Sequence, residues 1–93
     1  MIEADPQGWR ITGPLTLATA TGALAEGERV WPPAEWAVDV GGLTQVDSAA
    51  LSVLLTWQRR AESESQRLRI RNLPDSLRSL AELYGVEALI VSS

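Results

Sequence analysis

Asp39, Asp47 and Ser48 are the residues of this 93-residue chain from which chemistry could be assembled, two carboxylates and a hydroxyl that could form an acid–nucleophile set. A serine attacks only when a neighbouring base takes its proton. The sequence has no histidine, no cysteine and no lysine, so no such base is evident. The same absences remove thiol nucleophiles, disulfides and the common zinc sites. No Gly-rich loop ending in lysine is present to cradle a nucleotide phosphate. The expectation is a protein that is not an enzyme, with no catalytic residue, no metal and no cofactor.

Ser48 then needs another reason to stand where it does. It follows Asp47 in the stretch Val46–Leu55, VDSAALSVLL, at the mouth of an apolar element. Placed on a helix at about 100° per residue, Ser48, Ser52, Thr56, Arg59 and Ser63 share one arc. Ala50, Val53, Leu54, Trp57 and Ala61 fill the opposite arc and read as the core stripe. Ala49 and Leu55 lie at the edges of the polar arc. A solvated helix face more often carries Glu, Lys, Arg or Gln, which are better helix formers. Short side chains let another backbone approach closely, which reads as a docking face for a partner protein. The alternative is a tolerated surface. Ser48 has two compatible readings. Either it or Asp47 is the helix N-cap, and its hydroxyl also sits where free N–H groups and the helix dipole favour a phosphate. A phosphate there would bring about −2 of charge into any docked interface, as a switch does.

The surrounding elements position this helix. Trp9–Thr12 alternates and meets Gly13-Pro14, a strand and a turn, with Leu15–Leu17 as a second short strand. Thr19 to about Gly27 reads as a helix with Ala20, Leu24 and Ala25 at helical spacing, weakened by Gly27. Trp31-Pro32-Pro33 is a loop, with Trp31 as its anchor rather than an exposed patch. Trp36–Val40 is a strand ended by Gly41-Gly42, and Leu43–Val46 connects it to the long helix at Ser48–Ser63. Leu68–Arg71 is a strand. Asp75 is placed as the N-cap of a helix with Leu77, Leu80, Ala81 and Tyr84 on one stripe and Gly85 closing it. Leu83 lies off that stripe, at the buried edge or in a contact. Leu89–Val91 reads as a last strand. Strands alternating with helices predict an α/β domain over 1–93, with a mixed, mostly parallel sheet of about four or five strands and about three helices packed on it.

Composition narrows the partners. Apolar residues at 45% and charged residues at 22% describe a folded globular domain rather than a disordered one. Net charge is −4, so no footprint for nucleic acid is present. Arg59, Arg60, Arg67, Arg69 and Arg71 are interrupted by Glu62 and Glu64 and read as a solvated surface. No apolar run reaches the roughly 20 residues that span a bilayer, and MIEADPQGW lacks the features of a secretory signal. Direct membrane insertion and a small-molecule substrate are not expected.

The strand WAVDV, the connector GGLTQ and the helix start VDSAALSVLLTWQRRA together resemble the signature region of STAS domains, the family of anti-sigma-factor antagonists, over about the full chain. WRITGPLT, LLTWQRRA and LAELYGV resemble its MlaB-like branch, the cytoplasmic STAS subunit of the bacterial phospholipid-transport ABC system. The resemblance implies a single small STAS domain that binds the cytoplasmic ATPase of an ABC phospholipid transporter maintaining outer-membrane lipid asymmetry. It would be cytoplasmic and held at the inner membrane through that transporter. Ser48 matches the family's phosphorylatable or partner-contacting Ser/Thr, Asp47 the aspartate before it, and Asp39 the strand aspartate. The expected contact centres on Ser48, with Thr44, Gln45, Ala49, Ser52 and Leu55 around it. The alternative role is an anti-sigma-factor antagonist switched by phosphorylation of Ser48. Gly13-Pro14-Leu15-Thr16 lacks the acidic residue of that branch, and Ala49-Ala50 replaces its Ser-Gly.

Overall fold

A computed structural model of the chain describes residues 1–32 and 36–90. The elements run β1 (Ile2–Asp5), β2 (Gly8–Leu15), α1 (Ala20–Arg29), β3 (Trp36–Val46), α2 (Ser48–Ser63), β4 (Leu68–Arg71), α3 (Asp75–Leu83) and α4 (Glu87–Ile90). The sheet order is β1-β2-β3-β4. β1 pairs antiparallel with β2, whereas β2–β3 and β3–β4 are parallel. The two parallel steps are made through α1 and α2, the crossovers that parallel neighbours require. This is the expected α/β domain, with four strands and four helices among the described residues.

Alternation sorts the sheet into two faces. Trp9, Ile11 and Leu15 on β2, Trp36, Val38 and Val40 on β3, and Leu68 and Ile70 on β4 are buried with Val53, Leu54 and Trp57 of α2. Between them, Glu3, Arg10, Asp39 and Arg71 stand in one cross-strand row, Glu3 opposite Arg10, Arg10 opposite Asp39, Asp39 opposite Arg71. Charge alternates in sign across all four strands, a pairing that favours this register.

Several expectations are corrected. β1 was not foreseen. It is a short edge strand, joined to β2 by a turn in which Asp5 Oδ1 accepts from the Gln7 N–H at 2.7 Å. Gly13-Pro14 does not divide two strands, because β2 continues to Leu15 with register shifts at this point. Gly41-Gly42 does not end β3, which runs to Val46. A Cβ on Gly42 would lie 3.1 Å from the Ile11 carbonyl, so the glycine permits close strand approach instead of a turn. In α1 the buried positions are Ala23 and Gly27, with Ala20 and Leu24 half-buried, and Ala25 is exposed.

At the C-terminal end, Asp75 is the first residue of α3 and Pro74 occupies the N-cap position. Gly85, at φ +70°, closes α3. Its N–H reaches the Glu82 carbonyl at 3.1 Å, and the Val86 N–H reaches Ala81 at 2.9 Å, the double bond of a Schellman motif. The turn sends the chain into α4 rather than a strand, and Ile90 enters the core. A short apolar run cannot by itself distinguish the two conformations. Val91, which the strand was expected to include, and Pro33 lie outside the described residues.

Trp31 is a loop anchor, as its setting before proline implies. Its indole N–H donates to Gln66 Oε1 at 2.8 Å, its ring meets those of Trp9 and Trp36 nearly edge-on, and Arg60 stacks over it at 4.5 Å.

Candidate protein-docking site

α2 begins at Ser48 and ends at Ser63, the bounds its periodicity predicts. Ala50, Val53, Leu54, Trp57 and Ala61 are buried as expected, and Leu51 joins them. Packing on this stripe turns Ser48, Ser52, Thr56, Arg59 and Ser63 to solvent.

The cap is Asp47. Its extended backbone precedes the helix and its Oδ1 accepts from the Ala49 N–H at 2.8 Å. Ser48 is therefore the first helical residue, and its hydroxyl has no hydrogen-bond partner among the described residues. Asp47 Oδ2 accepts a second bond, from the Leu17 N–H at 3.0 Å, which ties the segment after β2 to the start of α2.

Two shallow hollows flank the exposed ridge. One, about 380 Å³, is lined by Leu17, Asp47, Ser48, Ala49 and Ser52. The other, about 220 Å³, is lined by Ser48, Leu51, Ser52, Leu55 and Tyr84. Ser48 and Ser52 border both, so the short side chains form a low divide between two recesses that larger side chains wall. The structure thus brings together Ser48, Ala49, Ser52 and Leu55. Thr44 and Gln45 are exposed on the end of β3 and line neither hollow.

Two residues of this surface were not assigned to it from sequence. Tyr84 was placed on the buried stripe of α3, but the helix stops at Leu83 and Tyr84 is its C-cap, 58% exposed. Leu17 was placed in a strand. It sits in a turn and is 80% exposed. Leu83 is exposed rather than buried at the helix edge.

Asp39 is not part of this surface. Its Oδ1 accepts from the Gly41 N–H at 2.8 Å. Burial alone raises its pKa, but the Gly41 bond, the Asn72 side chain and the nearby Arg10 and Arg71 outweigh that effect and hold the carboxyl below its usual value. Asp39 is thus occupied in the charged row of the sheet, and it lines neither recess beside Ser48. Both oxygens of Asp47 accept from backbone N–H groups. The paper set of Asp39, Asp47 and Ser48 is therefore not assembled as a catalytic unit. Among the described residues no three acidic, histidine or cysteine side chains converge as a metal site would require, and no helix is long and apolar enough to cross a membrane.

What the arrangement offers is contact: a rigid helix end, small residues on a ridge, and apolar walls beside it. Comparison with curated proteins gives no match. A family model described as the MlaB, STAS domain matches residues 3–92. On that match, which spans nearly the whole chain, the protein belongs to the MlaB-like STAS-domain family, whose domains serve in regulation and protein interaction.

Proposed function

We propose that the protein is a non-catalytic subunit that binds the cytoplasmic ATPase of an ABC phospholipid transporter and supports its assembly and activity. The observation that carries this reading is the ridge of Ser48 and Ser52 between two recesses, in a chain that matches the MlaB-like model. Close approach over small side chains, with larger ones filling recesses on either side, is how well-packed protein interfaces are built. The free hydroxyl of Ser48 lies at the centre, so a phosphate there would place charge in the contact.

The test is affinity capture from cytosol and solubilised membranes, with Ser48→Glu and Leu55→Asp beside the wild type. Capture of an ABC ATPase by the wild type and by neither variant is the expected result, with circular dichroism confirming that both variants fold. An ATPase retained by both folded variants would move the contact away from α2. Capture of a kinase-like anti-sigma factor in place of an ATPase would replace this reading with the antagonist role.

A further inference from the structure

We infer that the sheet face opposite the helices binds a second copy of this chain, with β1 of each copy lying over β4 of the other. The inference is independent of the docking function proposed above. It uses the far side of the sheet from α2 and leaves Ser48 and Ser52 uncovered.

Successive residues of a strand point to opposite faces of the sheet. Trp9, Val38 and Ile70 enter the core, so the rows on either side of them point away from it. All four helices contribute to that one core, through Ala23, Leu54, Leu77 and Ile90. Among the described residues no helix therefore covers the opposite face. One outward row is Glu3, Arg10, Asp39 and Arg71, and the other is Asp5, Gly8, Ala37 and Arg69. β1 brings only acids to this face, and β4 only arginines.

Both rows are antisymmetric in charge about the line between β2 and β3. A two-fold axis along that line turns the face over onto itself. Glu3 then meets Arg71 of the second copy, Arg10 meets Asp39, and Asp5 meets Arg69, each pair being made twice. Gly8 meets Ala37, so small residues at the centre let the two sheets approach. A two-fold axis across the strands would instead lay acidic β1 on itself and basic β4 on itself, so the charges select one orientation. Sheets packed face to face keep their strands within about 30° of each other, an offset that long Glu and Arg side chains can span.

The charges are available for this contact. All six are exposed except Asp39, which is half-buried. The ion pairs of the described residues join Arg60 to Glu28 and Glu64, and Arg78 to Glu87, and use none of them. Arg71 donates across the sheet to Gln7 Oε1, a neutral acceptor that a carboxylate surpasses. The face is small and polar, so the dimer is weak and sensitive to salt.

The experiment is sedimentation velocity of the full chain over about 0.01–1 mM, the range of weak contacts, at low and high salt. The proteins are the wild type, Glu3→Arg, Arg71→Glu and an equimolar mixture of the two variants, with circular dichroism confirming their folds. The wild type is expected to pass from monomer to dimer with concentration, and less so at high salt. Each variant alone sets like charges opposite each other at both ends of the face and is expected to dimerise about tenfold more weakly, or less. In the mixture, Arg at position 3 of one copy meets Glu at position 71 of the other, so dimerisation is expected to return. Pairing within a single sheet cannot produce that rescue. A wild type that stays monomeric at the highest concentration, variants that dimerise as it does, or a mixture that stays monomeric would each overturn the inference. Growth beyond the dimer would overturn the closed two-fold arrangement. None of these results bears on capture of an ATPase through α2.

Discussion

Gly27 of α1 lies directly against Trp57 of α2: a Cβ at Gly27 would fall 2.9 Å from the indole Nε1 and 3.1 Å from the ring of Trp9. What reads in sequence as a weak point in α1 is the place where the helix seats on the aromatic core. Gly27→Ala therefore opposes two effects. Alanine favours a helix interior by about 1 kcal/mol, whereas forcing a methyl into a packed core costs about 1–3 kcal/mol. Both rings are buried and neither is the free end of a flexible chain, so the steric effect wins. The variant is expected to lose up to about 2 kcal/mol, with a fall of several degrees in melting temperature. A rise in melting temperature would show that α1 can shift away from Trp57 without cost.

Gly8 and Gly13 separate backbone strain from collision. Gly8 has φ +144°, and a Cβ there would lie 2.1 Å from the Ala37 carbonyl oxygen across the β2–β3 pairing. Gly13 has φ +84° with nothing within 4 Å. Gly8→Ala must break the register at the start of both strands and is expected to cost about 3 kcal/mol or more. Gly13→Ala carries only the left-handed backbone cost of about 1–2 kcal/mol. Urea titration of the pair checks the order, and equal losses would contradict it.

Asp39 predicts the direction of the acid response. Its carboxyl is held below its ordinary value in the folded state, with Gly41, Asn72, Arg10 and Arg71 overcoming the effect of burial. A carboxyl with a depressed folded pKa contributes stability that is whole above its unfolded value of about 4 and is lost as pH falls through the lower folded value. Asp39→Asn should therefore lower stability at pH 7 and flatten the decline below pH 4, so that the two proteins converge in acid. Denaturation midpoints from pH 7 to pH 2 test this, and parallel curves would exclude the contribution.

Legibility in the sequence followed the length and periodicity of each segment. The sixteen residues of α2 carry enough turns for the apolar stripe and its boundaries to be unambiguous. β4 alternates cleanly between buried Leu68 and Ile70 and exposed Arg69 and Arg71. β1 and α4 have four residues each, too few for either period to show, and the conformation of α4 is decided by the turn at Gly85. The glycine pair in β3 resembled a turn because its reasons, the approach of Gly42 to β2 and of Gly41 to Asn72, are tertiary. The same division runs through the site. Ser48, Ala49, Ser52 and Leu55 share one helix and could be grouped by angle alone. Leu17 and Tyr84 reach the same recesses from distant segments, and Tyr84 left its expected stripe because α3 ends one residue before it.

The division of labour between Asp47 and Ser48 yields the last prediction. Both residue types make good N-caps, so sequence alone leaves the choice open. The structure assigns the cap to Asp47, whose Oδ1 accepts from Ala49 at 2.8 Å, and leaves the Ser48 hydroxyl without a partner among the described residues. Ser48→Ala therefore removes no hydrogen bond and substitutes a better helix former, so its stability should stay within about 0.5 kcal/mol of the wild type. Asp47→Ala removes the cap and the bond to Leu17 together, and should cost about 1–2 kcal/mol. Thermal and urea denaturation of the two variants decide the matter. A large loss for Ser48→Ala would make Ser48 structural and remove the reason to regard its hydroxyl as free for a partner or a phosphate. A small loss confined to Asp47→Ala would leave Ser48 as a residue whose substitution can be read in binding alone.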